Sequence, residues 1–321
     1  MKTFGSFFTN NNFLVSSFVI FFFIVAAAFI PFLDIIFLIF LPTIIFFYCL
    51  TRGIIKSAVP FLISLLLLFL ISYFFHFDTS YVAVLTMVLA GLTIAVFAFK
   101  NVAIEKIVIY ASLIIIASIC AYFLYTGFNQ NTNPWNLVYK FVTETVEGNI
   151  QIYGKLPLDN EDINYIKDNK QALIDFFNGI FPSLVLIVSV FTVWFNILIG
   201  RNLLRKQGVL LSKLEGLSRW KAPEFTIWIF IASCALLFVP LGQIRVFSLN
   251  ILIVTCFTYL LQGFAIISFL FQNKNVPYYF RYLFYFLIAV QQILMIPIIA
   301  VGLFDIWIDF RKYFQKDETT N

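Results

Sequence analysis

Nine apolar runs without a charged residue dominate this sequence: Phe13 to Ile30, Ile35 to Leu50, Ala58 to Phe75, Tyr81 to Phe99, Ile107 to Tyr125, Ile180 to Ile199, Phe225 to Leu241, Ser248 to Phe271 and Tyr282 to Leu303. A bilayer core of about 30 Å is crossed by roughly 20 helical residues at about 1.5 Å each. The pattern therefore predicts an all-α, polytopic transmembrane bundle of nine spans, with eight as the alternative count. Composition agrees: 62% of the residues are hydrophobic, 12% are charged and 43 are phenylalanine, too little polar surface to clothe such a core in water. Lipid must be the solvent for much of the chain. The second run is short and contains Pro42, which removes a backbone hydrogen bond and predicts a kinked or re-entrant segment.

Charge sets the expected orientation, because Lys and Arg in short loops stay in the cytoplasm. Arg201, Arg205, Lys206, Lys213, Arg219 and Lys221 crowd one loop, residues 200–224. With nine spans, that loop, the N-terminus and the links holding Arg52 with Lys56, Lys100 with Lys106, and Lys274 with Arg281 are cytoplasmic, which gathers 13 of the 21 positive residues on one side. The C-terminal tail, with Arg311, Lys312 and Lys316, then falls outside; eight spans would return it inside. No basic block is interleaved with exposed aromatics, so nucleic acid is not an expected partner. The single lysine before the first run and the lack of a small-residue cleavage site predict a retained span.

Three parts follow: a five-span half (residues 1–126), an extracytoplasmic segment (127–179) and a four-span half (180–321). The middle segment has four lysines against seven acids. Asn133 suits an N-cap, Pro134 a first helical turn and Gly148 a stop, with Trp135, Val138, Val142 and Val146 on one face. A second amphipathic helix is predicted from Asp159, with Ile163, Ile166, Leu173, Ile174 and Phe177 on one face. Together they would cover the outer ends of the spans or form a lid.

Catalytic signatures are missing: no GxxxxGK[ST], HExxH, GxSxG or glycine-rich dinucleotide turn occurs. No cofactor or metal is expected, and one histidine, His76 beside Asp78, cannot build a multi-histidine site. Cys49, Cys120, Cys234 and Cys256 lie inside apolar runs at no metal or redox spacing. Ionisable residues sit at span edges, as do Asp34, Glu105, Lys106, Arg245, Asp305 and Asp309, which argues against a charged proton relay. Gly91, Ala95 and Ala98, and Ala117 with Ala121, mark tight packing of the fourth and fifth spans.

Uncharged polar residues are the candidate machinery. Ser248, Thr255, Tyr259 and Gln262 share one face of the eighth span, with Asn250 on another; in the ninth, Arg281, Tyr285 and Gln292 share a face beside Gln291. Such stripes avoid lipid either by bonding between helices or by lining a polar cavity.

The C-terminal third carries a more particular pattern. Trp220, Pro223, Glu224 and Trp228 open the seventh span, Tyr259 to Gly263 reads YLLQG, and Gly302 to Arg311, through Asp305 and Trp307, reads GLFDIWIDFR. This combination resembles the YybS-like family of bacterial inner-membrane proteins, most strongly over Arg201 to Lys312. The resemblance implies a bacterial plasma-membrane location. That family is remotely similar to the membrane-embedded substrate-binding subunits of energy-coupling factor transporters, which bind vitamins or metals and work with separate ATPases. A non-enzymatic membrane protein that binds or transports a small molecule, without its own ATPase, is the expectation. The alternative is a non-catalytic scaffold for envelope proteins; the lipid bilayer is a partner in both, and a separate membrane or ATPase subunit in the first.

Overall fold

In hydrocarbon no water satisfies backbone N–H and C=O groups, so apolar runs close these bonds within themselves as helices. The computed structural model describes residues 13–29, 34–75, 81–154, 160–209, 211–240 and 242–312. Every regular element among the described residues is helical. The chain divides into two units, Met1–Glu144 with Val188–Leu214, and Thr145–Ile187 with Glu215–Asn321.

The first unit holds α1 (Phe13–Phe29), α2 (Asp34–Arg52), α3 (Ile54–Phe75), α4 (Tyr81–Phe99) and α5 (Ile104–Asn129). They are followed by α6 (Pro134–Tyr153), α7 (Asn160–Asp168) and α8 (Lys170–Lys206), of which α6 and α8 give part of their length to each unit. The short proline-bearing run is the centre of the first unit. α2 packs against α1, α3 and α4, and every residue from Leu41 to Cys49 is buried. A helix covered on all sides has lost its lipid-facing stripe. Gly91 of α4 makes this possible, since a Cβ there would lie 2.9 Å from both the Pro42 backbone and the Ile45 side chain. Gly53, at φ +89°, supplies the left-handed turn into α3.

In the second unit, a 3₁₀ stretch (Ser212–Arg219, shared at its start with the first unit) leads to α9 (Thr226–Leu236), α10 (Gly242–Asn273), α11 (Tyr278–Val290), a single 3₁₀ turn (Gln292–Leu294) and α12 (Met295–Ile308). α10 is the spine, with α9 and α12 packed on it.

The expected count of nine spans is corrected. Among the described residues six helices are long and apolar enough to cross a membrane: α2, α3, α4, α5, α8 and α10; counting α11 and α12 as one bent span makes seven. The seventh run forms only the 11 residues of α9, about 17 Å long, because the chain leaves the helix after Leu236, ahead of Pro240. The ninth is broken at Gln291 into halves bent by 110°. The first forms α1, Phe13–Phe29, of 17 residues.

Outside these helices, the Asn133 carboxamide oxygen accepts the Trp135 N–H at 2.9 Å and starts α6, which buries Val138, Val142 and Val146. The helix passes Gly148 and ends at Tyr153. Lys170 on α8 bonds Glu147 on α6 at 2.6 Å. His76 and Asp78 lie outside the described residues.

Candidate functional site

Three helix interruptions concentrate the polar chemistry of the protein. The first is Pro42 in α2. Proline lacks the N–H that would bond the Leu38 carbonyl, and its ring crowds the preceding turn and strains the next rung, Thr43 N–H to the Ile39 carbonyl. Asn196 of α8 fills the gap. Its Oδ1 accepts from Thr43 N at 2.8 Å and from Thr43 Oγ1 at 2.6 Å, while its Nδ2 donates to the Ile39 carbonyl at 2.8 Å and to the Thr192 carbonyl at 2.7 Å. The carboxamide replaces the missing rung atom for atom: one acceptor for the orphan donor, one donor for the orphan acceptor.

The second unit repeats this device. Pro182 interrupts α8, and Asn250 of α10 accepts the Ser183 N–H at 3.0 Å while donating to the Gly179 carbonyl at 2.8 Å. The partners sit at the same offsets from proline, one residue after and three before, as in α2.

The third interruption is treated differently. At Gln291 (φ −107°, ψ 85°) the backbone leaves the helix; Gln291 N–H donates to the Leu287 carbonyl at 2.7 Å and Leu294 N–H to the Gln291 carbonyl at 3.0 Å. The Gln291 and Gln292 side chains are exposed, and among the described residues neither carboxamide has a hydrogen-bond partner. α11 runs back beside α10, with Phe284 and Tyr285 against Phe271 and Tyr285 against Phe264. α12 then crosses α10 at Gly263. A Cβ on Gly263 would collide with the Ile298 carbonyl, and one on Gly302 with the Tyr259 carbonyl; glycine at both positions lets the two backbones touch. Gly263 is about 15 Å from the end of α10, so α12 meets α10 well along its length.

A buried latch secures the returning arm. Gln262 donates to Asp305 Oδ2 at 3.0 Å and accepts the Ala222 N–H at 3.0 Å. Asp305 Oδ1 takes the Phe310 N–H at 3.0 Å. Arg311 lies 3.7 Å from the Asp305 carboxylate, with side chains 7% and 0% exposed, and donates to the Trp220 carbonyl at 2.7 Å. Beside it Lys221 bonds Asp309 at 3.0 Å. A charge pair away from water is stabilised when its remaining hydrogen-bonding positions are filled; Gln262, the Phe310 amide and the Trp220 carbonyl fill several of them here, and Arg311 Nε is left without a partner among the described residues.

The sequence candidates therefore separate. Gln262, Gly263, Gly302, Asp305, Arg311 and Trp220 meet in the latch and crossing. Pro223 accepts the Thr226 N–H where α9 begins. Trp307 is 62% exposed and packs on Phe304. Asn250 belongs to the Pro182 bridge. Thr255 bonds back to the Ile251 and Leu252 carbonyls of its own helix. Tyr259 is fully buried against Ala222, Ile227 and Phe230; its hydroxyl and that of Ser248 have no partner among the described residues. Gln291 and Gln292 face away from the chain. Asn196 was not among the candidates, although an asparagine within an uncharged run, paired with a mid-helix proline elsewhere, was a readable signal.

Residues 18–306 match the family model described as a predicted membrane protein, DUF2232. The chain belongs to the DUF2232 family. The match runs from α1 through both bridged prolines and the helix break to Asp305 and ends before Arg311. The DUF2232 description names a membrane protein and no substrate. Searches among curated proteins and among solved structures gave no match.

Proposed function

We propose that this DUF2232 protein binds or passes a small polar solute within the bilayer, without an ATPase of its own, at the broken helix of its second unit. The single observation that carries this reading is the exposed Gln291–Gln292 pair at the α11–α12 break. Irregular backbone at membrane depth is tolerated where it is buried in protein or lines a water-filled space, and discontinuous helices supply transporters with unpaired backbone groups at their sites. Within α10 most polar capacity is already spent: Gln262 serves the latch, Asn250 the Pro182 bridge and Thr255 its own helix. The glutamines at the break keep theirs. The resemblance carried by the C-terminal motifs, which implies a remote likeness to substrate-binding subunits that work with separate ATPases, points the same way.

The break also bears on sidedness. α11 is 13 residues long, about 20 Å, and a 110° bend turns α12 partly back. Arg311 returns to the Arg219 and Trp220 carbonyls, and Ser218 bonds Gln272 near the end of α10. The re-entrant arm thus brings Arg311 and Lys312 to the end of the second unit that carries Arg219, Lys221, Lys274 and Arg281. Positive residues on one side favour the cytoplasm for that end and for the N-terminus, in a bacterial plasma membrane, and the basic tail no longer conflicts with the basic loop.

Solute-dependent thermal stabilisation in lipid nanodiscs tests the proposal. A panel of vitamins, nucleobases and lipid headgroups should contain a compound that raises the melting temperature of the wild type and does so no longer after Gln291→Leu and Gln292→Leu. A panel without effect on the wild type would sink it. A scaffold role is the second reading, favoured by α11, whose buried residue is Ile288 alone; a stable envelope partner, lost when α11 is recoded but kept in Gln292→Leu, would support it.

A further inference from the structure

We propose that the basic end of the second unit binds the headgroup phosphate of an anionic phospholipid. The latch and the turn from α10 into α11 gather Arg219, Lys221, Lys274, Arg281, Arg311 and Lys312 there. Ser218 bonds Gln272, Arg311 donates to the Trp220 carbonyl, and Arg281 donates to the Phe271 and Val276 carbonyls at 2.8 Å, which ties these segments together. Acids are fewer. Arg311 takes Asp305 and Lys221 takes Asp309, which leaves Arg219, Lys274, Arg281 and Lys312 against Glu224 among the described side chains at this end. Arg219, Lys274 and Lys312 are exposed, and none has an ion-pair partner among the described residues.

Charge gathered in this way is costly in hydrocarbon, and the residues around it mark where the bilayer surface meets the protein. Tyr278, Tyr279 and Tyr282 at the start of α11, Trp228 at the start of α9 and Trp307 near the end of α12 are all exposed. Tyrosine and tryptophan beside lysine and arginine form the composition that sits at headgroup level, ring toward the chains and polar atom toward water. Past the tyrosines the exposed face of α11 turns apolar, with Leu283, Phe286 and Leu287. One phospholipid fits both parts: its phosphate meets the cations and tyrosine hydroxyls, and its acyl chains lie on the apolar face. An acidic protein would match the charges and leave that apolar continuation uncovered. The headgroup is net negative, because the choline of a zwitterionic lipid offsets its own phosphate. The inference uses neither Gln291 nor Gln292 and does not rest on the transport reading.

Native mass spectrometry of the full chain, titrated in detergent with phosphatidylglycerol or phosphatidylcholine, tests it. Phosphatidylglycerol should bind the wild type more tightly than phosphatidylcholine. Lys274→Gln with Lys312→Gln should weaken its first binding step about 25-fold, about fivefold for each charge removed, with the melting temperature in phosphatidylcholine unchanged. The same loss of charge in Lys100→Gln with Lys106→Gln, both exposed in the first unit, should leave that step as it is, and so should Gln291→Leu with Gln292→Leu. Equal binding of the two lipids by the wild type overturns the proposal, whatever the variants do. So does an equal loss from the first-unit pair, no loss from the Lys274 and Lys312 pair, or displacement of the lipid by inorganic phosphate. An acidic protein held in the lipid's place by the wild type and lost from Lys274→Gln with Lys312→Gln overturns it as well.

Discussion

Pro42 and Gln291 both interrupt an apolar run, and the outcomes differ. At Pro42 a carboxamide from α8 completes the rung, α2 remains one helix of 19 residues and its middle is buried on every side. At Gln291 the carboxamides belong to the broken segment itself, the chain bends by 110°, and the polar groups stay exposed. The chemical group is nearly the same. What differs is which helix carries it: a side chain cannot easily reach back to repair its own helix, but one from a neighbour arrives at the right height and angle. An interruption bridged from outside is structural; one left open is available for binding.

That contrast can be broken from several sides. The largest effect is expected in the latch that holds the open arm. Arg311→Ala strands the Asp305 carboxylate in a dry site and should cost about 3 to 5 kcal/mol in reversible unfolding. Removing both charges together should cost clearly less than that single change; equal losses would mean that Asp305 and Arg311 are not coupled.

Next comes the bridge. Asn196→Leu leaves the Thr43 N–H and Ile39 carbonyl unsatisfied, an expected loss of about 2 to 4 kcal/mol. Adding Pro42→Ala restores an N–H to residue 42 and lets the backbone close the rung itself, so the double variant should recover most of it. Asn250→Leu with Pro182→Ala should behave alike in the second unit. Failure to recover in both would show that the asparagines do not serve the prolines.

Gly302→Ala comes third. The added methyl meets the Tyr259 carbonyl and must push α12 off α10, at about 1 to 3 kcal/mol, read as a lower melting temperature with the helix content unchanged by circular dichroism. The smallest effect belongs to the open break: in detergent, Gln291→Leu with Gln292→Leu should fall within about 0.5 kcal/mol of wild type. A loss as large as that of Asn196→Leu would erase the distinction between bridged and open interruptions.

Much of the architecture was legible from the runs of uncharged residues. Helix identity follows from them directly, because lipid forces backbone bonds to be satisfied locally. Lengths in space were less legible. Phe225 to Leu241 reads as a span of full length, yet α9 stops at Leu236 and the chain continues in turns up to Pro240. Tyr282 to Leu303 reads as continuous because glutamine has a good helix propensity, although Pro297, which cannot bond the Ile293 carbonyl and sits in the first turn of α12, was a readable mark of the break. Of the polar stripe, the shared face of Tyr259 and Gln262 was readable from helical spacing, but whether it meets solute or Asp305 was not. Pro42 announced an interruption and Asn196 stood out as a carboxamide in an uncharged run; that the two meet was set by the passage of α8 beside α2.

The sequence by itself determined that this is a helical protein dissolved in lipid, with sparse charge confined to edges, because the cost of exposing backbone or charge to hydrocarbon is paid residue by residue and can be read residue by residue. Only the tertiary structure decided which interruptions are closed and which stay open. A hydrogen bond depends on the distance and angle between two groups, and for Thr43 with Asn196, or Gln262 with Asp305, packing alone sets those quantities.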